Sequence, residues 1–361
     1  YILIIGLPCM IFAKPILLSI GQLETVVDYA SSYCLSMLPS VFFALQFNVS
    51  SRYLQAMDIF KPSMIITLVT VLFHPIWCYL FIDYFNLQVF GAGIAMSLTQ
   101  FINFISLVIY IEVEKPNEGS HFWFKTEVFN IELFNFYLKL AVPSAILFAA
   151  ECLGFEVLTL MSSFLGDIQL AANVCIFNFL ALLFTLPEGL SLSCSTHVGN
   201  MMGAKNVETA KTYSKVGLFI GNIIMAIITM FLYVFSDKIA YIYTDNKEIA
   251  ELVSEIVKIY TLFSLVDASQ HILLGIIKGI GKQMISSILC LIVLYPVNIP
   301  LAYFLAFTCG YGLRGLWYSQ LTTISLLTIS YIIVIFTTDW EKTAEASAND
   351  IVEQRELLEK E

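Results

Sequence analysis

The chain alternates between long apolar runs and short breaks of polar, glycine or proline residues. Ten runs are long enough for a helix of about 20 residues, the length that crosses the hydrocarbon core of a bilayer. They cover roughly residues 1–20, 26–50, 62–84, 89–111, 134–164, 168–198, 213–236, 249–276, 284–308 and 312–337. This pattern predicts an all-α, polytopic membrane protein with ten transmembrane helices in the chain.

Composition supports this interpretation. Of the 361 residues, 58% are hydrophobic and only 13% are charged, whereas a soluble domain is about half apolar and a quarter charged. A water-facing fold of this length cannot bury so much apolar surface, so lipid is the expected solvent.

Charge excludes one class of partner. The formal net charge is −10, and binding to nucleic-acid phosphates requires a basic face. We therefore expect no nucleic-acid partner. Residues 338–361 read as a solvated tail, in which eight carboxylates stand against three basic residues.

Soluble-enzyme and metal signatures are missing from the sequence. The eight cysteines lie singly, without the paired spacing of a zinc site or a disulfide framework. No phosphate-binding loop, zinc-protease or serine-hydrolase motif occurs. We expect no catalytic residues, no metal and no cofactor, and a protein that is not an enzyme.

One polar segment, 112–133, divides the chain. It predicts a loop between a partial N-terminal lobe of four helices, 1–111, and a C-terminal lobe of six helices, 134–337. The breaks between helices that lie on the same side of the membrane as this loop, together with the tail, carry thirteen lysines and arginines. The breaks on the opposite side carry five. Because such residues are retained in the cytoplasm, the loop and the acidic tail are expected there.

Two weak matches suggest an internal repeat. Residues 14–24 match 238–248 at an offset of 224, and 93–97 match 315–319 at 222. Two similar lobes follow. If the second begins near residue 133, the first begins about 90 residues upstream of Tyr1, which leaves room for two more helices. We expect an N-terminally truncated chain, twelve helices in the whole molecule, and no transport by residues 1–361 alone.

Four carboxylates lie inside predicted spans, where an ionisable group is costly and marks a functional site. These are Glu151, Glu156, Glu188 and Asp267. The alternative for each is a structural role, as a protonated carboxyl group that hydrogen-bonds to a neighbouring helix. Five residues along a helix turn by about 140°, so we expect only one of Glu151 and Glu156 to face a narrow cavity. Burial disfavours the charged form of a carboxyl group, which suits a proton carrier.

Asp267 and His271 are four residues apart and share one helix face. The pair could extend a proton relay or contribute to a metal site, although no third ligand is evident; alternatively His271 is a packed, neutral side chain. Pro143, Pro187 and Pro296 lie inside predicted helices and predict bends that open and close a cavity.

An ordered set of motifs resembles the eukaryotic branch of the multidrug and toxic compound extrusion (MATE) transporters, from Tyr1 to about Lys342. The set comprises Arg52-Tyr-Leu-Gln-Ala-Met57, Pro143-Ser144, Glu151-x4-Glu156, Gly203-Ala204, Asp267, Gly279-x-Gly281-x-Gln283 and Thr338-Asp-Trp-Glu341. The resemblance implies a two-lobe helical bundle that exports organic cations, drugs or metabolites in exchange for protons, with sodium as the alternative coupling ion.

Carried over by position, the resemblance assigns proton and substrate coupling to Glu151, Glu156 and Asp267. It assigns Asn178 to the polar wall of a cavity, in which His271 is expected from its spacing to Asp267. It further implies a monomer in a plasma or vacuolar-type membrane. Departures such as Cys152-Leu153 and His197 leave the substrate open. The alternatives are a lipid-linked oligosaccharide flippase of the same superfamily, an intramembrane enzyme built on Asp267 and His271, or a fragment that does not transport.

Overall fold

The computed structural model describes residues 6–19, 24–116 and 131–346, and nearly all of this part is helical, with no strand in it. The helices are α1 (Leu7–Ile11), α2 (Ala13–Ser19), α3 (Glu24–Ala56), α4 (Lys61–Cys78), α5 (Gln88–Glu114), α6 (Ile131–Ser163), α7 (Asp167–Gly203), α8 (Val207–Tyr243), α9 (Lys247–Gly279), α10 (Gln283–Ile292), α11 (Asn298–Tyr303) and α12 (Leu313–Thr337). Three π-helical segments, Tyr79–Tyr84, Val293–Val297 and Phe304–Thr308, continue α4, α10 and α11. The predicted all-α class is confirmed.

The chain forms two compact units, residues 1–124 and 125–361. Helices α5 and α6 both extend into the predicted loop at 112–133. Residues 117–130, most of that loop, and 347–361, most of the predicted tail, lie outside the described residues. The lobe boundaries and the sidedness of loop and tail stay predictions.

Eight helices in the described part are long and apolar enough to cross a membrane, so the chain is a multi-pass membrane protein. The predicted run at 249–276 forms α9, which is not among the eight. The run at 1–20 forms the short α1 and α2, and its first five residues are not described. The count of ten therefore stays a prediction.

Helix α9 is less apolar because it packs against protein instead of lipid. It contacts α7, α8 and α12, and it is buried along most of its length; Ile256, Ala268, Ile272 and Ile276 are completely enclosed. A polar side chain inside a helical bundle can meet polar partners or a cavity, which lowers the cost of placing it at membrane depth. The polar residues of α9 are therefore compatible with a spanning position.

Helix α8 shows the lipid-facing pattern directly. Most of its buried positions are small or polar: Ala210, Ser214, Gly221, Thr229, Ser236 and Ala240. Its exposed positions include Phe219, Ile227, Met230, Phe231 and Val234. Small residues bring membrane helices close together, whereas large apolar side chains are at no disadvantage against lipid tails. This arrangement reverses the pattern of a soluble helix.

Helices α7 and α9 approach each other closely at Gly275 and Gly279 of α9. A Cβ atom at Gly275 would collide with the backbone oxygen of Ser191, and one at Gly279 would lie 2.9 Å from the oxygen of Ser195. Glycines four residues apart form the small-residue surface that lets two membrane helices approach. The packing of the second unit therefore depends on these two missing side chains.

We expect Gly275→Ala to destabilise the protein by about 1–3 kcal/mol, because the added methyl group pushes α9 away from α7. In most helix interiors the same change is stabilising. Gly189→Ala in α7 is the matched control, since its Cβ would meet no atom within 4 Å. Thermal unfolding in detergent compares the two variants. A melting temperature of Gly275→Ala equal to that of Gly189→Ala would contradict the close contact.

The same local backbone occurs in both units, 224 residues apart. Asn86 and Gln88 have positive φ angles of 54° and 51°, and Gly310 and Gly312 have 73° and 58°. Matching hydrogen bonds precede them, from Phe85 N to Leu80 O and from Cys309 N to Phe304 O, each 2.9 Å long. The turns before α5 and α12 therefore share one structure.

This register corrects one of the two sequence matches. Gly91 packs against the backbone of Phe81, and Gly315 packs in the same way against Leu305. The structural partner of Gly315 is thus Gly91, at an offset of 224, and not Gly93 at 222. The sequence match was shifted by two residues because short runs of small residues recur along α5.

Candidate functional site

A cavity of about 310 Å³ lies inside the second unit. Its charged and polar lining is Glu151 and Glu156 from α6, Asp267, Gln270 and His271 from α9, and Gln320 from α12. The remaining wall is apolar and includes Phe148, Phe155, Phe177 and Phe184. The volume is at the lower end of the range for small-molecule sites, so a small organic molecule fits.

Helical periodicity explains how these side chains meet. Asp267, Gln270 and His271 are spaced i, i+3 and i+4 on α9, so they share one face. Phe177 and Phe184 lie seven residues apart on α7 and line the wall of the cavity from that helix. Each helix therefore presents one stripe to the cavity.

Both predicted glutamates of α6 line the cavity, so the expectation that only one would do so was wrong. The cavity is not a narrow cleft, because α6 forms a broad wall that includes Phe148 and Cys152 as well. The three carboxylates differ in burial: the Asp267 residue is 6% exposed, Glu151 is intermediate and Glu156 is exposed. The site thus has an enclosed acid and a more accessible one.

His271 is fixed by Asp267 and by an aromatic ring. Its Nδ1 lies 3.0 Å from the backbone oxygen of Asp267 and 3.6 Å from the Asp267 carboxylate. Its ring meets Phe184 edge to face, with centroids 4.9 Å apart. His271 also interacts electrostatically with Glu151 and Glu188. The described residues contain no group of three His, Cys, Asp or Glu side chains that could hold a metal ion.

Comparison with known proteins identifies the fold and the family. The MatE family model matches residues 1–80 and 143–304. The chain belongs to the MATE family. It is 27% identical over 341 residues to multidrug and toxin extrusion protein 1 of Danio rerio, covering 94% of this chain and 58% of the relative. It is 28% identical over 354 residues to Protein DETOXIFICATION 36 of Arabidopsis thaliana, covering 96% of this chain and 70% of the relative.

A solved MATE structure shares the fold. The eukaryotic MATE transporter AtDTX14 superposes with a TM-score of 0.88 at 23% identity, covering 96% of this chain and 77% of that chain. MATE proteins are a family of transporters, which agrees with the expectation that the chain is not an enzyme. The chain spans 58% of the length of the Danio rerio relative.

Asn178, predicted for the site of this MATE chain, and Glu188, one of the four acids inside predicted spans, lie elsewhere. Asn178 is exposed on α7 and does not line the cavity. Its neighbour Phe177 takes the inward position, and one residue further along the helix points about 100° away. Glu188 is partly buried and interacts electrostatically with Glu151 and His271, but it does not line the cavity.

The predicted bend prolines lie inside helical segments: Pro143 in α6, Pro187 in α7 and Pro296 in the π-helical Val293–Val297. The backbone oxygen of Pro143 accepts a hydrogen bond of 2.8 Å from Ser287 of α10. This contact helps to attach α10 to α6. Opening and closing at these prolines stays a prediction.

Sequence reasoning missed the uncharged polar groups of the site. Gln270 lines the cavity between Asp267 and His271, and Gln320 lines it from α12. The Gln320 amide is held by Asn298, which donates to its oxygen at 2.8 Å. Gln270 could have been found from its spacing of three from Asp267. Gln320 carries no such signal.

A larger surface groove of about 1050 Å³ lies at the ends of the helices in the same unit. Its acidic lining is Asp167, Asp237, Glu248, Glu251 and Glu255. Three of these carboxylates form ion pairs: Asp237 with Lys258 at 3.3 Å, Glu251 with Lys247 at 3.9 Å, and Glu255 with Arg314. Polar helix ends of this kind are expected where a membrane protein meets water, and they explain the groove without a ligand.

Proposed function

We propose that this MATE chain belongs to a secondary active antiporter that exports small organic cations, drugs or metabolites in exchange for protons. The observation that carries the proposal is the acid-lined cavity of the second unit. Three carboxylates and a histidine surround an otherwise apolar space inside a membrane bundle. Buried acids are retained at such a position for function because they cost stability.

Glu151, Glu156 and Asp267 are the groups proposed to couple protons to the substrate. When they are ionised, their negative charge attracts an organic cation from the cytoplasm. Protonation cancels that charge and releases the cation on the other side. The phenylalanines of the wall offer apolar surface and aromatic faces to the cation.

The charge of the cavity favours this proposal over a flippase for lipid-linked oligosaccharides. A pyrophosphate group would require basic side chains. Among the described residues that line the cavity there is no lysine or arginine. An intramembrane enzyme built on Asp267 and His271 is disfavoured by family membership, since the relatives are named as extrusion proteins.

The remaining assignments are part of the same proposal. The protein works as a monomer in a plasma or vacuolar-type membrane, with the inter-lobe loop and the acidic tail in the cytoplasm. Coupling to sodium in place of protons is the alternative that the experiment must separate.

Transport in proteoliposomes tests the proposal. The complete protein, including any residues that its gene encodes upstream of Tyr1, is reconstituted with a fluorescent organic cation outside. We expect uptake only with an imposed pH gradient, and none with a sodium gradient alone. Uptake driven by a sodium gradient would identify sodium, and not the proton, as the coupling ion. The absence of uptake under both gradients would contradict the proposal.

A further inference from the structure

Helix α8 carries a stripe of exposed side chains at a spacing of four residues. The stripe begins with Lys211 and Lys215 and continues with Phe219, Ile223 and Ile227. Residues four apart lie nearly above one another on a helix, so these five follow one face. Phe219 is 69% exposed and Ile227 is 66% exposed. Two positive charges are therefore followed, along the same face, by a large apolar surface.

The apolar part of the stripe spans the depth of one membrane leaflet. From Lys215 to Ile227 the helix rises about 18 Å, and half of the hydrocarbon core of a bilayer is about 15 Å. Tyr213 lies between the two lysines and stacks on His197, with ring centroids 5.2 Å apart. Tyrosine is enriched at the interface between membrane and water. We therefore expect the lysines at the level of the lipid headgroups and the apolar residues beside the acyl chains.

The two lysines form no ion pair within the part of the chain that the structure describes. Glu208, the acid nearest to them along α8, is not paired with either lysine. At the other end of the same unit, Lys247, Lys258 and Arg314 are each paired with a carboxylate. The charges of the α8 lysines are thus available to an anion from the surroundings, and a membrane with anionic lipids supplies one.

We infer that Lys211 and Lys215 bind the phosphate of an anionic phospholipid, whose acyl chain lies along Phe219, Ile223 and Ile227. A phospholipid presents a charged phosphate and then a long apolar chain, in the order of the stripe. A soluble acidic partner would meet the lysines but would leave the apolar residues uncovered. The sequence predicts that this end of α8 is cytoplasmic, and anionic phospholipids are concentrated in the cytoplasmic leaflet.

The headgroup charge decides which phospholipid is preferred. In phosphatidylcholine, the ammonium group of the lipid itself balances the phosphate and repels the lysines. Phosphatidylglycerol carries the same phosphate without an ammonium group, so its net charge is negative. Each basic residue near a membrane surface favours the anionic lipid about fivefold. The site is therefore expected to distinguish two lipids that have identical acyl chains.

Quenching by brominated lipids tests the site. Phe219→Trp places a fluorophore on the stripe of the complete protein, and the emission of the native tryptophans is measured without this change and subtracted. The protein is reconstituted in phosphatidylcholine with increasing fractions of brominated phosphatidylglycerol or, in a parallel series, brominated phosphatidylcholine. We expect phosphatidylglycerol to bind beside the new fluorophore about fivefold more tightly for each lysine that contacts its phosphate.

Variants of the lysines locate the effect. Lys211→Gln and Lys215→Gln, each combined with the fluorophore, should lower the preference about fivefold. Lys215→Arg keeps the charge and should keep the preference. Lys238→Gln is the matched control, because it removes the same charge from the other end of α8, where Lys238 lies over the Phe235 ring at 5.6 Å. All three lysines are exposed, so these changes leave the packing of the unit intact.

Three results would overturn the inference. The first is equal quenching by the two brominated lipids in the protein with both lysines. The second is an unchanged preference in both glutamine variants, or an equal loss in Lys238→Gln, which would show a response to net charge alone. The third is a preference that appears only after residues 347–361 are removed, because the acidic tail would then occupy the lysines. The measurement uses neither a substrate nor a gradient, so it does not depend on the proposed transport.

Discussion

Glu151→Gln and Asp267→Asn are each expected to reduce gradient-driven export of an organic cation to background. Both changes preserve the size of the side chain and remove a group that can lose its proton. A cavity without one of these charges loses attraction for the cation, and it loses the step that exchanges the cation for a proton. Uptake into proteoliposomes under an imposed pH gradient measures the effect, with equal amounts of folded protein confirmed by size exclusion.

Glu188→Gln is the matched control, because Glu188 is also a partly buried acid of the same unit but does not line the cavity. It should retain most of the export. Normal export by both Glu151→Gln and Asp267→Asn would remove these carboxylates from the coupling mechanism. Complete loss in Glu188→Gln with either of the other two active would mean that the wrong acids were selected.

The helices could be predicted because the apolar runs are nearly continuous. A run such as 213–236 leaves one physical solution, a helix that satisfies its own backbone in lipid, and α8 indeed covers it. The run at 249–276 likewise predicted the helix that forms α9. The correct register of the repeat was less accessible, because it appears only in the backbone angles of Asn86 and Gly310.

The charged part of the site could also be predicted, since an acid inside an apolar run is conspicuous. Asp267 and both glutamates do line one cavity. The uncharged part could not be predicted. Polar residues are ordinary in a bundle, and whether one faces a cavity depends on helix rotation. The resemblance to relatives selected Asn178, but the described cavity uses Gln270 and Gln320 instead.

Gln320 both lines the cavity and belongs to a buried group of hydrogen-bonded side chains. Asn298 is 1% exposed and organises a buried group of polar side chains on α11 and α12. It donates to Gln320 at 2.8 Å and accepts from Ser319 and from Thr323, the latter at 3.1 Å. All of these groups are satisfied by one another, so the Gln320 amide is held in place at the edge of the cavity.

Asn298→Leu is expected to be strongly destabilising. It removes the side chain that hydrogen-bonds to Gln320, Ser319 and Thr323, and it leaves these three groups without that partner. The cost is roughly 1–3 kcal/mol for each group that finds no replacement, and Ser319 and Thr323 can partly recover by bonding to their own helix. The Gln320 amide cannot recover a hydrogen bond in this way. The double variant Asn298→Leu with Gln320→Leu should therefore be more stable than Asn298→Leu alone, and a double-mutant cycle of thermal unfolding in detergent measures the coupling. Asn178→Leu, at an exposed position, should stay near the unmodified protein. If the double variant is no more stable than Asn298→Leu, the unpaired Gln320 amide is not the source of the lost stability.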